Sequence, residues 1–212
     1  MPQIVQFTGP RAVELVETDP APLVEGAVRV ATWYSGVSAG TELTAYRGTN
    51  PYLTSTWDAE RRLFAPGTPS FGYPVAGWGY SEVGQVVEVA PDVTSLRAGE
   101  VVHGIWGHRS DAVLPAAALE RRVLPEGMDP LLGTFARVGS IALNAVLAAD
   151  VRLGEQVAIF GQGVIGLLAT RLAVLSGARV LAVDAQPARL AMARRFGAHE
   201  TVDAREDGGA GV

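Results

Sequence analysis

The sequence predicts a chain of two parts, a β-rich amino-terminal half and an α/β half with a parallel sheet. In the first half, short alternating segments such as GAVRVATWYSG are separated by Gly and Pro, which is typical of antiparallel or barrel-like β domains. After about Ala149, apolar strands alternate with helical patterns, as in βαβ units. The length of 212 residues also favours two domains over one.

The α/β half opens with QVAIFGQGVIG, Gln156 to Gly166, in which an apolar strand leads through a glycine turn into a helix. This order is the one that a dinucleotide-binding turn requires. Glycine at the first position permits the tight turn, at the second it lets the backbone approach a pyrophosphate, and at the third it lets the helix pack closely. The free N–H groups of the helix start then face the phosphates. The predicted phosphate-binding residues are Gly161, Gly163, Val164, Ile165 and Gly166.

A second apolar strand, ARVLAVDA, ends in Asp184, eighteen residues after Gly166. A carboxylate at that distance is expected to accept hydrogen bonds from both hydroxyls of an adenosine ribose. It would repel a 2′-phosphate, so the sequence favours NAD and makes NADP the weaker alternative. Glycine turns of this kind also occur in FAD and S-adenosylmethionine folds, or for structural reasons alone, and the context of strand, helix and acid favours the nicotinamide coenzyme.

Composition excludes several classes of function. A net charge of −5 supplies no basic patch for nucleic acid or an anionic membrane. No apolar run is expected to approach the length of a membrane span, and the start lacks signal-peptide features, so a cytoplasmic protein with no membrane partner is expected. The absence of cysteine excludes disulfides, thiolate metal sites and cysteine nucleophiles.

Apolar spacing between Met128 and Ala149 predicts a helix that links the two halves. The predicted organisation is therefore a first domain over residues 1–127, a linking helix over 128–150 and a cofactor domain over 151–212. The low-complexity end, residues 207–212, is expected to be disordered.

Several motifs in order carry a family resemblance: VEVAPDVTSLRAGEVV, the linking helix, VRLGEQVAIFGQGVIGLLA and VLAVDAQPARLAMARRFGA. Together they resemble the medium-chain dehydrogenase/reductase (alcohol dehydrogenase-like) family over essentially the whole chain. The resemblance implies a GroES-like β-barrel substrate domain followed by the first half of a Rossmann domain, with the substrate held in the cleft between them. It also implies hydride transfer between a nicotinamide and a small alcohol or ketone.

Many members of that family hold a catalytic zinc, and the resemblance identifies the ligand positions in this chain. Ser38, in SGVSAGTE, stands at the cysteine position with one extra residue, and Tyr80 and Ser81 stand at the histidine and glutamate of a GHE segment. Arg137 falls at the third position, in the linking helix. Serine, tyrosine and arginine do not supply the ligands that zinc prefers, so a metal-free site is expected.

The pairing of SGVSAGTE with GYPVAGWGYSEVGQVVE resembles a zinc-less branch similar to bacteriochlorophyllide a dehydrogenase. By resemblance, Thr41 stands where zinc-dependent relatives keep a proton-relaying hydroxyl, and the alternative is a helix N-cap. Tyr80 is a candidate proton donor, or a side chain that fills the volume of the metal. Glu42 replaces an aspartate that braces the zinc site; it would pair with Arg137 or Arg47, or remain a solvated carboxylate.

The other polar and aromatic residues carry weaker signals. The three histidines form no metal-ligand pattern, and only His108 lies on a segment expected to approach the substrate. Arg189 is expected to be an exposed helix charge, with contact to the adenosine as the alternative. A set of aromatic residues is predicted to be core rather than pocket lining: Trp33, Tyr34, Tyr46, Trp78 and Trp106.

From Gln156 onward the sequence supplies about three strands, whereas a complete dinucleotide fold has two βαβαβ halves. We therefore expect the chain to be a truncated form of a longer oxidoreductase, which would be able to form a homodimer when intact. The alternatives are a non-catalytic nucleotide-binding remnant and an enoyl or quinone reductase of the same fold. The substrate itself is not encoded in any recognisable motif.

Overall fold

The computed structural model describes residues 1–205, which form two compact units, Met1–Phe135 and a second one that begins at Ala136. The boundary lies inside the segment 128–150 that the sequence predicts as a linking helix. The predicted disordered end, residues 207–212, lies outside the described residues.

The first unit is built from antiparallel strands, one short α-helix and short 3₁₀ helices. Three sheets form, with strand orders β2-β1-β6, β8-β7-β3-β9 and β4-β5. The elements in chain order are β1 (Gln3–Gly9), β2 (Ala12–Glu17), β3 (Ala27–Ser35), α1 (Glu42–Arg47), β4 (Ser55–Asp58), β5 (Leu63–Pro66), β6 (Val75–Ala76), β7 (Glu82–Val89), β8 (Val101–Gly104) and β9 (Asp111–Pro115).

The core of the first unit lies on one face of its four-stranded sheet. Val30 of β3 pairs with Val86 of β7, and both side chains are fully buried against Val102 and Trp106. Because successive side chains of a strand point to opposite faces, the alternating valines of β3 place one apolar row inward. This packing confirms the β-rich half that the alternating pattern predicts.

A register shift between Thr32 and Tyr34 changes the direction of side chains near the end of β3. Trp33 and Tyr34 are 44% and 42% exposed, so the prediction that they are core residues is wrong. A bulge leaves residues unpaired and turns side chains outward, which the period-two pattern does not reveal. Trp106 does belong to the core, and its indole N–H donates to Thr32 Oγ1 at 2.9 Å.

The second unit is a three-stranded parallel sheet of order β10-β11-β12 with a helix in each crossover. Right-handed βαβ crossovers place the helices against a sheet in this way. This unit contains the strands and helices that the sequence predicts there. In chain order they are α2 (Ala136–Ala148), β10 (Gln156–Phe160), α3 (Val164–Leu175), β11 (Arg179–Asp184), α4 (Pro187–Arg195) and β12 (Glu200–Asp203).

The helical segment Pro130–Ala148 consists of a 3₁₀ helix, Pro130–Phe135, followed directly by α2. It has 19 residues and a mean hydropathy of 1.5, so among the described residues it alone is long and apolar enough to span a membrane by length and composition. The expectation that no apolar run approaches this length is therefore wrong. Core helices of water-soluble proteins pass the same test, and the segment carries Arg137.

Candidate functional site

The turn after β10 has the geometry of a close-packed glycine corner. Gly161 has φ of +84°, a conformation that favours glycine, and its N–H donates to the Val183 carbonyl at 2.8 Å. A Cβ on Gly166 would lie 1.8 Å from the Gly161 carbonyl oxygen, so only glycine fits there. Around Gly163, by contrast, a Cβ would meet nothing within 4 Å. That open space at the helix start is where the sequence predicts a pyrophosphate.

Helix α3 begins at Val164, and no side chain caps it at Gly163. Val164 and Ile165 are 52% and 42% exposed, so the first turn of the helix is open to solvent. The first N–H groups of a helix lack intrahelical acceptors and carry the positive end of its dipole. The corner therefore presents N–H donors suited to an anionic group.

Asp184 closes the other side of this corner. Its Oδ2 accepts the Gln162 N–H at 2.6 Å, and its Oδ1 accepts the Gln186 N–H at 2.7 Å. The side chain is 5% exposed, and the Arg189 guanidinium lies 3.7 Å from Oδ2. A carboxylate has about four lone-pair positions, so two acceptor positions remain after the two N–H bonds. Arg189 is an exposed helix charge, as expected, but it also faces the carboxylate.

The ionisation of Asp184 follows from these contacts. Burial favours the neutral acid and raises the pKa, but the N–H groups of Gln162 and Gln186 and the Arg189 charge outweigh it, so the pKa of Asp184 lies below its ordinary value. The group is therefore anionic at neutral pH.

Gln162, between the first two glycines, is a residue that sequence reasoning missed. Its side chain is fully buried, donates from Nε2 to the Ile159 carbonyl at 2.9 Å and accepts the Thr170 hydroxyl at 3.0 Å. The backbone N–H of Gln162 also donates to Asp184, so this residue links the glycine turn to both α3 and β11. The available signal was Thr170, a polar residue in the middle of the apolar stretch VIGLLATRLAVL.

In the first unit, Thr41 directly precedes α1, which begins at Glu42. The Thr41 side chain makes no cap hydrogen bond, so the N-cap alternative is wrong. The loop is instead closed by Ser38, whose carbonyl accepts the Glu42 N–H at 3.2 Å and whose hydroxyl accepts the Thr41 N–H at 3.2 Å. Thr41 is left exposed.

Glu42 is 1% exposed, which overturns the alternative of a solvated carboxylate. Its Oε2 accepts the Ser38 N–H at 2.8 Å and lies 3.0 Å from His108 Nε2. Glu82 is a second acidic neighbour of His108, because its Oε1 lies 4.0 Å from Nδ1. Glu42 and His108 are distant in the sequence, so no local spacing of residues predicts their contact.

Tyr80 is partly buried and lies between Gly79, at φ of +134°, and the buried Ser81. A Cβ on Gly79 would lie 2.5 Å from Glu82 Oε1, so glycine is required beside Tyr80. The Ser81 carbonyl accepts the Gly36 N–H at 2.9 Å. The fold thus brings the segment of Tyr80 next to the segment of Ser38, as the resemblance implies. Arg137 lies in the other unit, in the first turn of α2.

The residues at the zinc-ligand positions can be compared with the donor set of that metal. Ser38 and Tyr80 offer hydroxyl groups, and Ser38 already accepts a hydrogen bond from Thr41. Over residues 1–205 the structure places no three His, Asp or Glu side chains together in a way that could hold a metal ion. The residues present do not fit a catalytic zinc.

Comparisons with known proteins match both units. Residues 164–210 match a family described as zinc-binding dehydrogenase. D-guloside 3-dehydrogenase of Shigella flexneri is 29% identical over 198 residues, covering 90% of this chain and 56% of that protein. The 2-desacetyl-2-hydroxyethyl bacteriochlorophyllide A dehydrogenase of Rhodobacter capsulatus is 30% identical over 206 residues, covering 88% and 57%. The chain thus spans a little over half the length of these relatives.

Among solved structures, a Sinorhizobium meliloti protein described as a putative zinc-binding dehydrogenase bound to NADP superposes with a TM-score of 0.75 at 23% identity. The superposition covers 97% of this chain and 62% of the Sinorhizobium meliloti protein. At this sequence identity, the likeness shows the fold alone. The structure is thus that of a two-part dehydrogenase fold, with a GroES-like β unit and the first half of a Rossmann sheet, and the predicted fold class is confirmed. The matched family and the dehydrogenase relatives together indicate the medium-chain dehydrogenase/reductase (alcohol dehydrogenase-like) family.

Proposed function

We propose that this chain carries the substrate unit and the adenosine-binding half of the coenzyme unit of an NAD-dependent oxidoreductase that interconverts a secondary alcohol and a ketone without zinc. The observation that carries the proposal is the glycine corner closed by the Asp184 carboxylate. Such a corner binds a diphosphate at a helix start and a ribose at the acid. The relatives are named as dehydrogenases, which supports the same class of reaction.

NAD is proposed over NADP because of charge. Asp184 is buried and ionised, and a ribose 2′-phosphate placed against it would meet a like charge in a poorly solvated position. Two ribose hydroxyls, in contrast, would use its remaining acceptor positions. The Arg189 guanidinium, which is 56% exposed, partly offsets the negative charge of Asp184 and so weakens the preference for NAD over NADP.

When bound, the nicotinamide would supply or accept the hydride. Reduction of a ketone leaves negative charge on its oxygen, which must be stabilised and protonated. We propose Thr41 and Tyr80 as the hydroxyl donors for that oxygen, and Glu42 as the residue that holds their loop. The residues at the metal positions do not fit zinc, so these hydroxyls take the place of a Lewis acid in the proposal.

The substrate class is proposed from the relatives. One is named for a guloside and the other for a hydroxyethyl-bearing pigment, and both names specify dehydrogenases. A secondary alcohol of a glycoside or a hydroxyethyl side chain is therefore the first substrate class to examine. The proposed location is the cytoplasm, without nucleic-acid or membrane partners, and a homodimer is proposed for a longer parent protein.

The test combines binding with turnover. Calorimetry with NADH and with ADP-ribose should show binding to the 212-residue chain, and both should be weakened when Asp184 is replaced. Turnover should then be assayed with alkyl glycosides and their keto forms. Absence of binding by either nucleotide would overturn the proposal.

A second candidate is nucleotide binding without turnover. Over residues 136–205 the parallel sheet has three strands, and the chain spans 56% of a curated relative. Hydride transfer needs the nicotinamide held in contact with the substrate, a requirement beyond binding the adenosine half. Binding without turnover would favour this candidate, and reduction of enones or quinones instead of ketones would identify a third, a double-bond reductase.

A further inference from the structure

The parallel sheet of the second unit ends on one side in a strand whose outer edge has no partner. The strand order is β10-β11-β12, so over residues 1–205 strand β10 pairs with β11 alone. Its register with β11 runs without a shift from Gln156 to Phe160, so the strand is regular over its whole length. Such an edge presents a row of N–H and C=O groups that can pair with a further strand.

Hydrogen bonds at the two ends of β10 show which residues face this edge. The Glu155 carbonyl accepts the Arg179 N–H at 2.7 Å, and the Gly161 N–H donates to the Val183 carbonyl at 2.8 Å. Residues 155 and 161 therefore both face β11. Because the backbone groups of successive strand residues point to alternate sides, the odd-numbered residues between them also face β11 and the even-numbered ones face outward. The outward-facing residues, which we call the β10 edge, are Gln156, Ala158 and Phe160.

The β10 edge is exposed and lacks the features that protect edge strands. All three of its residues are exposed, and Phe160 is 69% exposed. Natural proteins shield an edge with charged side chains, proline or a bulge. The segment Gln156–Phe160 contains no charged residue and no proline, and its pairing with β11 has no bulge. An unshielded apolar edge of this kind is expected to be covered by another strand.

The β10 edge is complementary to itself. A two-fold axis brings two copies of one strand together antiparallel. With the axis at Ala158, this residue would face Ala158 of the second copy, and Gln156 would face Phe160 of the second copy. In each of these outward-facing pairs the two residues would exchange both N–H···O bonds. Since the strand carries no charge, no like charges would meet across the axis.

The opposite edge of the sheet, at β12, differs in charge. The same two-fold pairing of Glu200–Asp203 would set Glu200 directly against Asp203 of the second copy. Like charges directly opposite one another destabilise a pair of strands. Self-pairing is therefore favoured at β10 and opposed at β12. Association through one edge only gives a closed pair of copies rather than an open filament.

The size of the available surface sets the strength of this association. Helix α2 packs against Ile159 of β10, and it exposes Leu143 and Leu147, which are 45% and 67% exposed. A buried aromatic side chain contributes about 150 to 250 Å², so Phe160 supplies on the order of 100 Å² from each copy. A standard interface buries about 800 Å² on each partner. One short strand with a few apolar side chains offers less, so we expect a weak dimer.

We propose that this chain forms a symmetric dimer in solution, in which the β10 edges of two copies pair antiparallel about Ala158 and join two parallel sheets into one. The partner is thus a second copy of the same chain. This dimer is independent of the proposed function, because it requires neither coenzyme nor turnover.

The first experiment locates the interface in the unmodified chain. Residue-resolved amide hydrogen exchange is measured at chain concentrations of about 1 μM and about 1 mM, a range that spans weak association. The N–H groups of Val157 and Ile159 face β11 and should exchange slowly at both concentrations. The N–H groups of the β10 edge should exchange fast in the dilute sample and about tenfold more slowly in the concentrated one. Equally fast exchange of these N–H groups at both concentrations would overturn the proposal.

The second experiment places charges on the proposed axis. Because Ala158 would face its own copy, Ala158→Lys and Ala158→Glu each set like charges face to face, which should raise the Kd of the dimer by about a hundredfold. An equal mixture of the two variants should form a heterodimer, since lysine then faces glutamate. Sedimentation velocity at about 1 mM distinguishes these states, and the unmodified chain should sediment as a dimer.

The matched control is Ala191→Lys, which adds the same charge at an exposed position of α4. It should leave the dimer intact, because α4 packs on β11 and β12, away from β10. Ala158 is itself exposed, so its variants remove no packing, and circular dichroism should show the unmodified spectrum. A monomeric unmodified chain at about 1 mM would contradict the proposal. A dimer that persists in Ala158→Lys, or a mixture of the two variants that stays monomeric, would contradict the position of the axis.

Discussion

The Gln162 N–H donates to the Asp184 carboxylate across 2.6 Å, and this bond ties the glycine turn after β10 to the end of β11. The buried Gln162 side chain extends the connection to Thr170 in α3. Three elements of the predicted coenzyme site are thus held by one residue. Buried hydrogen bonds of this kind stabilise a fixed geometry because any unpaired member would be costly.

Replacement of Gly166 by alanine should disrupt this corner. The new Cβ would lie 1.8 Å from the Gly161 carbonyl oxygen, which is backbone and cannot move aside without shifting the turn. Overpacking of this kind costs about 1 to 3 kcal/mol. We expect a lower free energy of unfolding in urea denaturation, together with weaker NADH binding by calorimetry.

The matched control for that change is Gly139→Ala in α2, where a Cβ would meet nothing within 4 Å. Alanine is favoured over glycine inside a helix by about 0.5 to 1 kcal/mol, so this variant should be slightly more stable. If Gly166→Ala were as stable as the unmodified chain and bound NADH equally well, the close packing of the corner would be refuted.

Replacement of Asp184 by asparagine should reduce the preference for NADH over NADPH. The change removes the negative charge that would oppose a 2′-phosphate and weakens acceptance from the ribose hydroxyls, a combined effect of about 1 to 3 kcal/mol. The ratio of the two dissociation constants is the quantity to measure, because the asparagine side chain would also alter the bonds to Gln162 and Gln186 and so affect both nucleotides. Asp203→Asn, at the paired position on β12, is the control and should leave the ratio near its original value. An unchanged ratio in Asp184→Asn would discredit the ribose assignment.

The glycine corner could be predicted from sequence because its chemistry is local. A strand, a turn and a helix follow one another, and Asp184 comes at the end of the next strand, so their spacing along the chain reflects their spacing in the fold. The buried contact between Ser35 Oγ and His108 Nδ1 is different. Ser35 and His108 are separated by 73 positions and meet only because β3 pairs with β7 and β9. A contact of this kind leaves no periodic pattern in the sequence. The exposure of Trp33 and Tyr34 could not be predicted for a similar reason, because the β-bulge that turns them outward depends on strand pairing.

His103 makes the stability of the first unit depend on pH. Its pKa in the folded chain lies below the ordinary value of 6.5, chiefly because the ring is partly desolvated and also because Arg122 is near. Below that ordinary value the unfolded chain binds a proton that the folded chain does not, so the free energy of unfolding falls as the pH is lowered. Between about pH 8 and about pH 5.5, on either side of the ordinary value, we expect the unmodified chain to lose more stability than His103→Gln does. Urea denaturation at both pH values measures this difference, and parallel losses in the two proteins would rule it out.

Metal content provides a test that is independent of activity. Zinc in proteins prefers thiolate, imidazole and carboxylate ligands in tetrahedral order, whereas Ser38 and Tyr80 stand at two of the positions where relatives place them. The carboxylate and the imidazole nearest to this loop, Glu42 and His108, are already bound to each other at 3.0 Å. We therefore expect chain purified from zinc-supplemented medium to contain no stoichiometric zinc by mass spectrometry, and its thermal midpoint to be unaffected by a chelator. A single zinc held tightly per chain, lost with a fall in the midpoint when the chelator is added, would show that the ligand argument is wrong.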